Sequence, residues 1–263
     1  MTTSSPRPRR RFAPLNPEVL NKYDAPKLEG IVFDVDGTLC LPQNYMFAEM
    51  RAALGITKDQ DILESIYALP PEEQEAAMEK IRKIERRAMA SQQPQPGLVE
   101  LMTYLDMRGI RKGICTRNFD LPVTHLLRTH LPTSPFSPII TRAFRPPKPS
   151  PAGILHIAAS WGLFQPSVSP SPIPLDPPIP STTIAPEPPA QLPTATNLIM
   201  VGDSLDDLLA GHAAGAATVL LLYDPDDGRG NAHLVDRADL VVRTLDELVA
   251  VLEGGFVGSL EEV

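Results

Sequence analysis

The chain has 263 residues, 43% of them hydrophobic, which is ample for one α/β domain with a small second unit. A formal net charge of -8 works against nucleic acid as a partner; it leaves a small phosphorylated molecule open, because one cation can reverse the local sign. No apolar run reaches the length of a membrane span, and the two cysteines, Cys40 and Cys115, make neither a disulfide framework nor a zinc cluster, so no membrane partner and a cytoplasmic location are expected.

Residues 1–28 read as a disordered basic tail, with no acid before Glu18. Its charge bias is also that of a mitochondrial presequence, but Pro6, Pro8 and Pro14 oppose the amphipathic helix such a signal needs. The apolar run Gly30-Ile31-Val32-Phe33 then leads into Asp34-Val35-Asp36-Gly37-Thr38, the pattern of a buried parallel strand entering a loop. Residues 41–95 change character: Tyr45–Leu54, Asp59–Leu69 and Pro71–Ala90 are rich in Ala, Glu, Met, Arg and Lys and predict a small helical cap.

Strands and helices alternate from residue 96 onward. Helices are expected at Leu98–Met107, Leu121–His130, Pro151–Trp161, Leu205–Ala214 and Thr244–Leu252, the last with Thr244 as a possible cap. Strands are expected at Ile110–Cys115, within Pro138–Arg142, and at Asn197–Val201, Ala217–Leu222 and Leu240–Val242. This alternation predicts an α/β fold, a Rossmann-like parallel sheet with helices on both faces. The core would comprise 29–40 and 96–253, with a C-terminal tail over 254–263. Residues 165–196 interrupt it with eleven of the thirty prolines and almost no charge, which predicts a disordered insertion. Its Pro174-Leu175-Asp176-Pro177 spacing could serve a protein partner, but no basic residue flanks it, and an inert loop has the same composition.

Three clusters follow predicted strands, where open parallel sheets place ligands. Asp34 and Asp36 stand two apart just past a strand end, with Gly37 free to turn the backbone; paired acids suit a cation, or a division between attack and proton transfer. Thr116 follows the second strand with Arg117 and Asn118; its hydroxyl and the neighbouring amides can donate to a phosphate, although Thr and Asn also cap helices. Lys148, held by flanking prolines, could neutralise a nucleophile and phosphate, although a loop lysine is ordinarily just exposed. Gly202-Asp203-Ser204-Leu205-Asp206-Asp207 ends another strand. Asp203 could complete an oxygen site for Mg²⁺, or Asp203 or Ser204 could cap the next helix while Asp206 and Asp207 face its dipole.

In this order the clusters resemble the haloacid dehalogenase superfamily, in its phosphatase branch, over residues 30–253 apart from the insertion. Asp34 to Thr38 match its first motif, Thr116 the second, Lys148 the third and Gly202 to Asp207 the fourth, with an Ala-Gly-rich helix following at 210–216. The resemblance implies that Asp34 is the nucleophile and Asp36 the acid and base. It implies that Thr116 and Lys148, with Arg117 and Asn118 beside them, hold the phosphoryl group. Mg²⁺ would be bound by Asp34, Asp203 and the Asp36 backbone carbonyl, and Asp207, or its neighbour Asp206, would position Lys148 or a metal-bound water. Gly37, Thr38, Gly202 and Ser204 would support these groups. The cap would close over the site, with Tyr45, Met46 and Arg51 candidates to reach substrate, although helix packing and solvation explain them too. The expected activity is hydrolysis of a small phosphate monoester through an aspartyl-phosphate, with a phosphomutase of the same superfamily as the alternative.

Overall fold

Residues 10–165, 192–222 and 232–258 are described in this computed structural model. Their strands are β1 (Gly30–Phe33), β2 (Arg111–Cys115), β3 (Ile139–Ile140), β4 (Leu198–Gly202), β5 (Ala217–Leu221) and β6 (Leu240–Val242). They form one sheet in the order β3-β2-β1-β4-β5-β6, with every pairing parallel. The chain runs outward from β1 to β3, returns to lay β4 on the other edge of β1, and runs outward again. The order therefore reverses between β1 and β4, and the crevice beyond their carboxyl ends is the natural ligand site of such a sheet.

Both faces of the sheet are covered, which is why its central strands are apolar at every position. Successive residues point to opposite sides. Ile31, Phe33, Ile199 and Val201 join a core closed by α4 (Leu98–Met107), α5 (Asp120–His130) and α9 (Glu247–Gly254). Val32, Leu198 and Met200 join a second core under α6 (Ala152–Ser160) and α7 (Leu205–Ala214). At the far edge, α8 (Ala232–Val235) covers Leu220 through Leu234. No helix among the described residues is long and apolar enough to cross a membrane.

Between β1 and α4 lie α1 (Asn44–Leu54), α2 (Ile62–Tyr67) and α3 (Pro71–Met89), with a hydrophobic cluster of their own that includes Met46, Met50, Ile66, Ile81 and Ile84. Pro71 sits in the first turn of α3, where its missing N–H costs nothing, and Glu72 and Glu73 face the positive helix start. The expected helix at Asp59–Leu69 begins instead at Ile62, because the Asp61 carboxylate caps it, accepting from the Leu63 and Glu64 amides at 2.8 and 3.0 Å. The strands that lead into and out of this unit touch: Leu41 N–H donates to Gln93 O at 2.8 Å and Gln95 N–H to Leu39 O at 3.1 Å.

The two expected tails are partly wrong. From residue 10 onward the amino-terminal segment packs on the core, with Phe12 and Leu28 buried. Phe12 N–H donates to Phe256 O and Leu15 N–H to Leu252 O. At the other end Phe256 is fully buried and its ring lies 5.6 Å from that of Phe12. These apolar residues have no helical or strand periodicity, so only the α9 surface they cover reveals them as core. Helix α9 itself starts later than expected, with Asp246 at its N-cap and Thr244 outside it. The proline-rich expectation falls mostly on residues 166–191, outside the described residues. Its flanks are ordered: Gln165 N–H donates to Leu192 O, Thr194 N–H to Leu163 O, and Ala195 is buried.

Candidate active site

Four loops converge at the reversal of strand order. Asp34 continues β1, and its amide donates to the Val201 carbonyl of β4 at 3.0 Å. The chain then turns tightly: the Val35 carbonyl accepts from the amides of Thr38, Leu39 and Cys40. Gly37 makes this turn possible, because its φ is +79° and a Cβ there would lie 2.2 Å from Asp203 Oδ2. The Gly37 carbonyl is fixed by the Gln95 side-chain amide at 2.7 Å. Thr38 donates toward Asp203 Oδ1 at 3.5 Å, the outer limit of a hydrogen bond.

Lys148 sits at the centre of the cluster, 5% exposed, its ammonium 2.8 Å from Asp34 Oδ1 and 2.5 Å from Asp207 Oδ1. The other Asp207 oxygen accepts from the Ser204 amide at 3.0 Å and its hydroxyl at 2.7 Å, closing a capping box at the start of α7. Gly202 admits this packing, since a Cβ there would lie 2.3 Å from the Asp207 side chain. Of the two acids weighed for positioning Lys148, Asp207 is therefore the one in contact. Asp206, one residue earlier and about 100° away around the helix, pairs with Arg117.

Thr116 and Asn118 are buried beyond β2. Together with Asp34, Asp36, Arg117, Lys148, Asp203, Ser204 and Asp206 they line one cavity of about 330 Å³. Arg117 does not hold a free guanidinium toward it: Nη1 lies 2.6 Å from Asp206, and Nη2 is paired with Asp61 of the helical unit. Tyr45 and Met46 do not line this cavity; Arg51 does.

Burial dominates the proton affinities. It pushes the Asp34 carboxyl up to about 6 against the opposing pull of Lys148. Burial also raises the Asp36 carboxyl, opposed by hydrogen bonds from Asn118 and Cys40. For Lys148 burial works to lower the ammonium, but Asp207 and Asp34 overcome it and hold the group above its ordinary value. The acids surrounding this one lysine are in excess, so a cation fits the charge balance. Asp34, Asp203 and Asp207 each offer an oxygen within 4.8 Å of the others, a hard-donor set that suits Mg²⁺. Asp207 already serves Lys148 and Ser204, which leaves Asp34 and Asp203 the better placed ligands. The Asp36 carboxylate is outside this oxygen group.

Three contributors escape a reading of the sequence. Arg142 and Glu85 are buried together with 3.1 Å between them. Arg142 Nε donates to the Arg117 carbonyl and its amide to the Asn118 carbonyl, each at 2.8 Å, so it braces the loop after β2. Glu85 follows Ile81 by four residues on the apolar side of α3, and an acid at that phase is the signal that could have found it. Asp61 had the cap signal of an acid before an apolar run.

The family model described as haloacid dehalogenase-like hydrolase matches residues 46–215. The chain belongs to the haloacid dehalogenase-like hydrolases. It is 39% identical over 234 residues to an uncharacterized hydrolase of Saccharomyces cerevisiae, covering 86% of this chain and 91% of the yeast protein. It is 32% identical over 247 residues to a haloacid dehalogenase-like hydrolase domain-containing protein of Arabidopsis thaliana, covering 88% of this chain and 86% of the plant protein. A solved hydrolase from Pseudomonas syringae shares the fold with a TM-score of 0.59 at 21% identity, over 86% of this chain and 98% of that one.

Proposed function

We propose that this hydrolase is a Mg²⁺-dependent phosphatase of small phosphate monoesters. The observation that carries the reading is the Lys148 ammonium, buried between Asp34 and Asp207 at the mouth of β1 and β4. A lysine whose charged form is favoured by two carboxylates, at the nucleophile's side, suits a reaction that needs charge neutralisation and positioning above all. Asp34 attacks phosphorus, the bond to the ester oxygen breaks, and the phosphoryl group passes to the carboxylate. Asp36, whose partly buried carboxyl is shifted toward the protonated form, gives its proton to the departing alkoxide. It then takes a proton from water, which attacks the same phosphorus and releases Asp34 and inorganic phosphate.

The Thr116 hydroxyl and Lys148 hold phosphoryl oxygens during both steps, while Asn118 keeps Asp36 in place. Mg²⁺, held by Asp34, Asp203 and the Asp36 backbone carbonyl, would supply further neutralisation of phosphate charge. The test is release of phosphate from p-nitrophenyl phosphate by the purified protein, with and without Mg²⁺. Asp34→Asn is expected to abolish turnover, and Asp36→Asn to reduce it by about 10²–10⁴-fold. An Asp34→Asn protein as active as the parent would exclude Asp34 as nucleophile.

A further inference from the structure

Four cationic side chains line the 330 Å³ cavity, and three of them are committed to acids. Lys148 is held by Asp34 and Asp207, Arg117 by Asp61 and Asp206, and Arg142 by Glu85. Arg51, on α1, is different: among the described residues it makes no ion pair. Its Nε, like Nη1 of Arg142, is buried without a hydrogen-bond partner. Its one recorded bond, from Nη1 to the Phe47 carbonyl, is stretched to 3.5 Å. Around it the cap side of the cavity is apolar, formed by Phe47, Met50, Ile62 and Leu63. Of the four cations, Arg51 is therefore the one whose charge no carboxylate already neutralises, and an anion held against this apolar wall would meet it.

We propose that Arg51 is a specificity-determining residue that selects phosphate monoesters of short hydroxy acids, binding the carboxylate of the alcohol moiety. The inference rests on the phosphatase reading, which places the phosphoryl group at Asp34 and the alcohol toward the cap. One guanidinium matches one carboxylate in charge and in its planar, two-pronged geometry. A second phosphate would bring about two charges to the single uncommitted cation. A cavity of about 330 Å³ lies at the small end of small-molecule sites, which fits a phosphate, a carboxylate and a few carbons.

The test is a charge series on one two-carbon alcohol: phosphoglycolate (carboxylate), 2-hydroxyethyl phosphate (neutral) and phosphoethanolamine (cationic), with p-nitrophenyl phosphate as a general substrate. The full-length enzyme is expected to prefer phosphoglycolate to phosphoethanolamine by about 100-fold in kcat/KM, expressed mainly in KM, with the neutral ester between them. Arg51→Gln should reduce the ratio to about threefold or less, Arg51→Lys should retain part of it, and Arg51→Glu should reverse it. A parent enzyme without this preference, or an Arg51→Gln ratio equal to the parent's, overturns the proposal. If p-nitrophenyl phosphate is not hydrolysed at all, the phosphatase reading fails. Calorimetric titration of Asp34→Asn protein with phosphoglycolate and phosphoethanolamine then still decides about Arg51. Preference for the acid that disappears in Asp34→Asn/Arg51→Gln supports it, and equal affinities refute it.

Discussion

Two adjacent acids, Asp206 and Asp207, offer a direct test of how the site is held together. Asp207→Asn keeps size and shape but removes a charge from a fully buried position. The native carboxylate serves two residues with its two oxygens, the Lys148 ammonium at 2.5 Å and the Ser204 amide and hydroxyl at 3.0 and 2.7 Å. An amide has one acceptor, so either Lys148 or Ser204 loses its partner and meets an NH₂ instead. Losing a hydrogen bond to a charged group is worth about 1.5–3 kcal/mol, and the unpaired buried donor raises the figure to about 3 kcal/mol overall. For a chain of this size that corresponds to a fall in Tm of about 6–12 °C. Asp206→Asn breaks only a pair with Arg117 that is about one-third exposed, worth less than about 1 kcal/mol, and should lower Tm by at most about 4 °C. Differential scanning calorimetry reads both, and phosphate release should fall at least about tenfold in Asp207→Asn as Lys148 shifts. Melting temperatures within about 2 °C of each other for the two variants would refute the assignment of Asp207 as the anchor of Lys148.

Other outcomes follow from the same structure. Gly37→Ala forces a side chain onto a backbone with φ of +79° and into Asp203, so turnover should fall more than about 100-fold while stability falls by only about 1–2 kcal/mol; a variant with parental kcat/KM would contradict the close approach. Glu85 has its carboxyl pushed by burial from 4.5 up to about 7. Between those values the folded chain binds more protons than the unfolded one, so this group's contribution to stability is full below pH 4.5 and is lost as pH rises through 7. Glu85→Gln should remove up to about 3 kcal/mol of that pH dependence, seen in urea unfolding as a parent-minus-variant difference in stability that falls by that amount between pH 4.5 and 7. Phe256→Ala should cost about 3 kcal/mol by opening a cavity under Phe12, whereas a true tail would tolerate it without change in Tm.

Most of the sheet could be read along the chain because each parallel strand is a short apolar run ended by a loop, and both properties are local. The same holds for Asp34, Thr116 and Asp203, each of which directly follows the end of its own strand, whichever strands turn out to be neighbours; Lys148 lies eight residues beyond β3 in a loop marked by its prolines. What folding alone decided depends on phase and on distant partners. Asp207 rather than Asp206 meets Lys148 because one step around α7 turns a side chain by about 100°. Arg117 is consumed by Asp61 and Asp206, 56 and 89 positions away, so the motif that contains it could not reveal that it was already paired. Phe12 and Phe256 become core only because the segments that carry them meet beside α9, a contact with no local pattern to announce it.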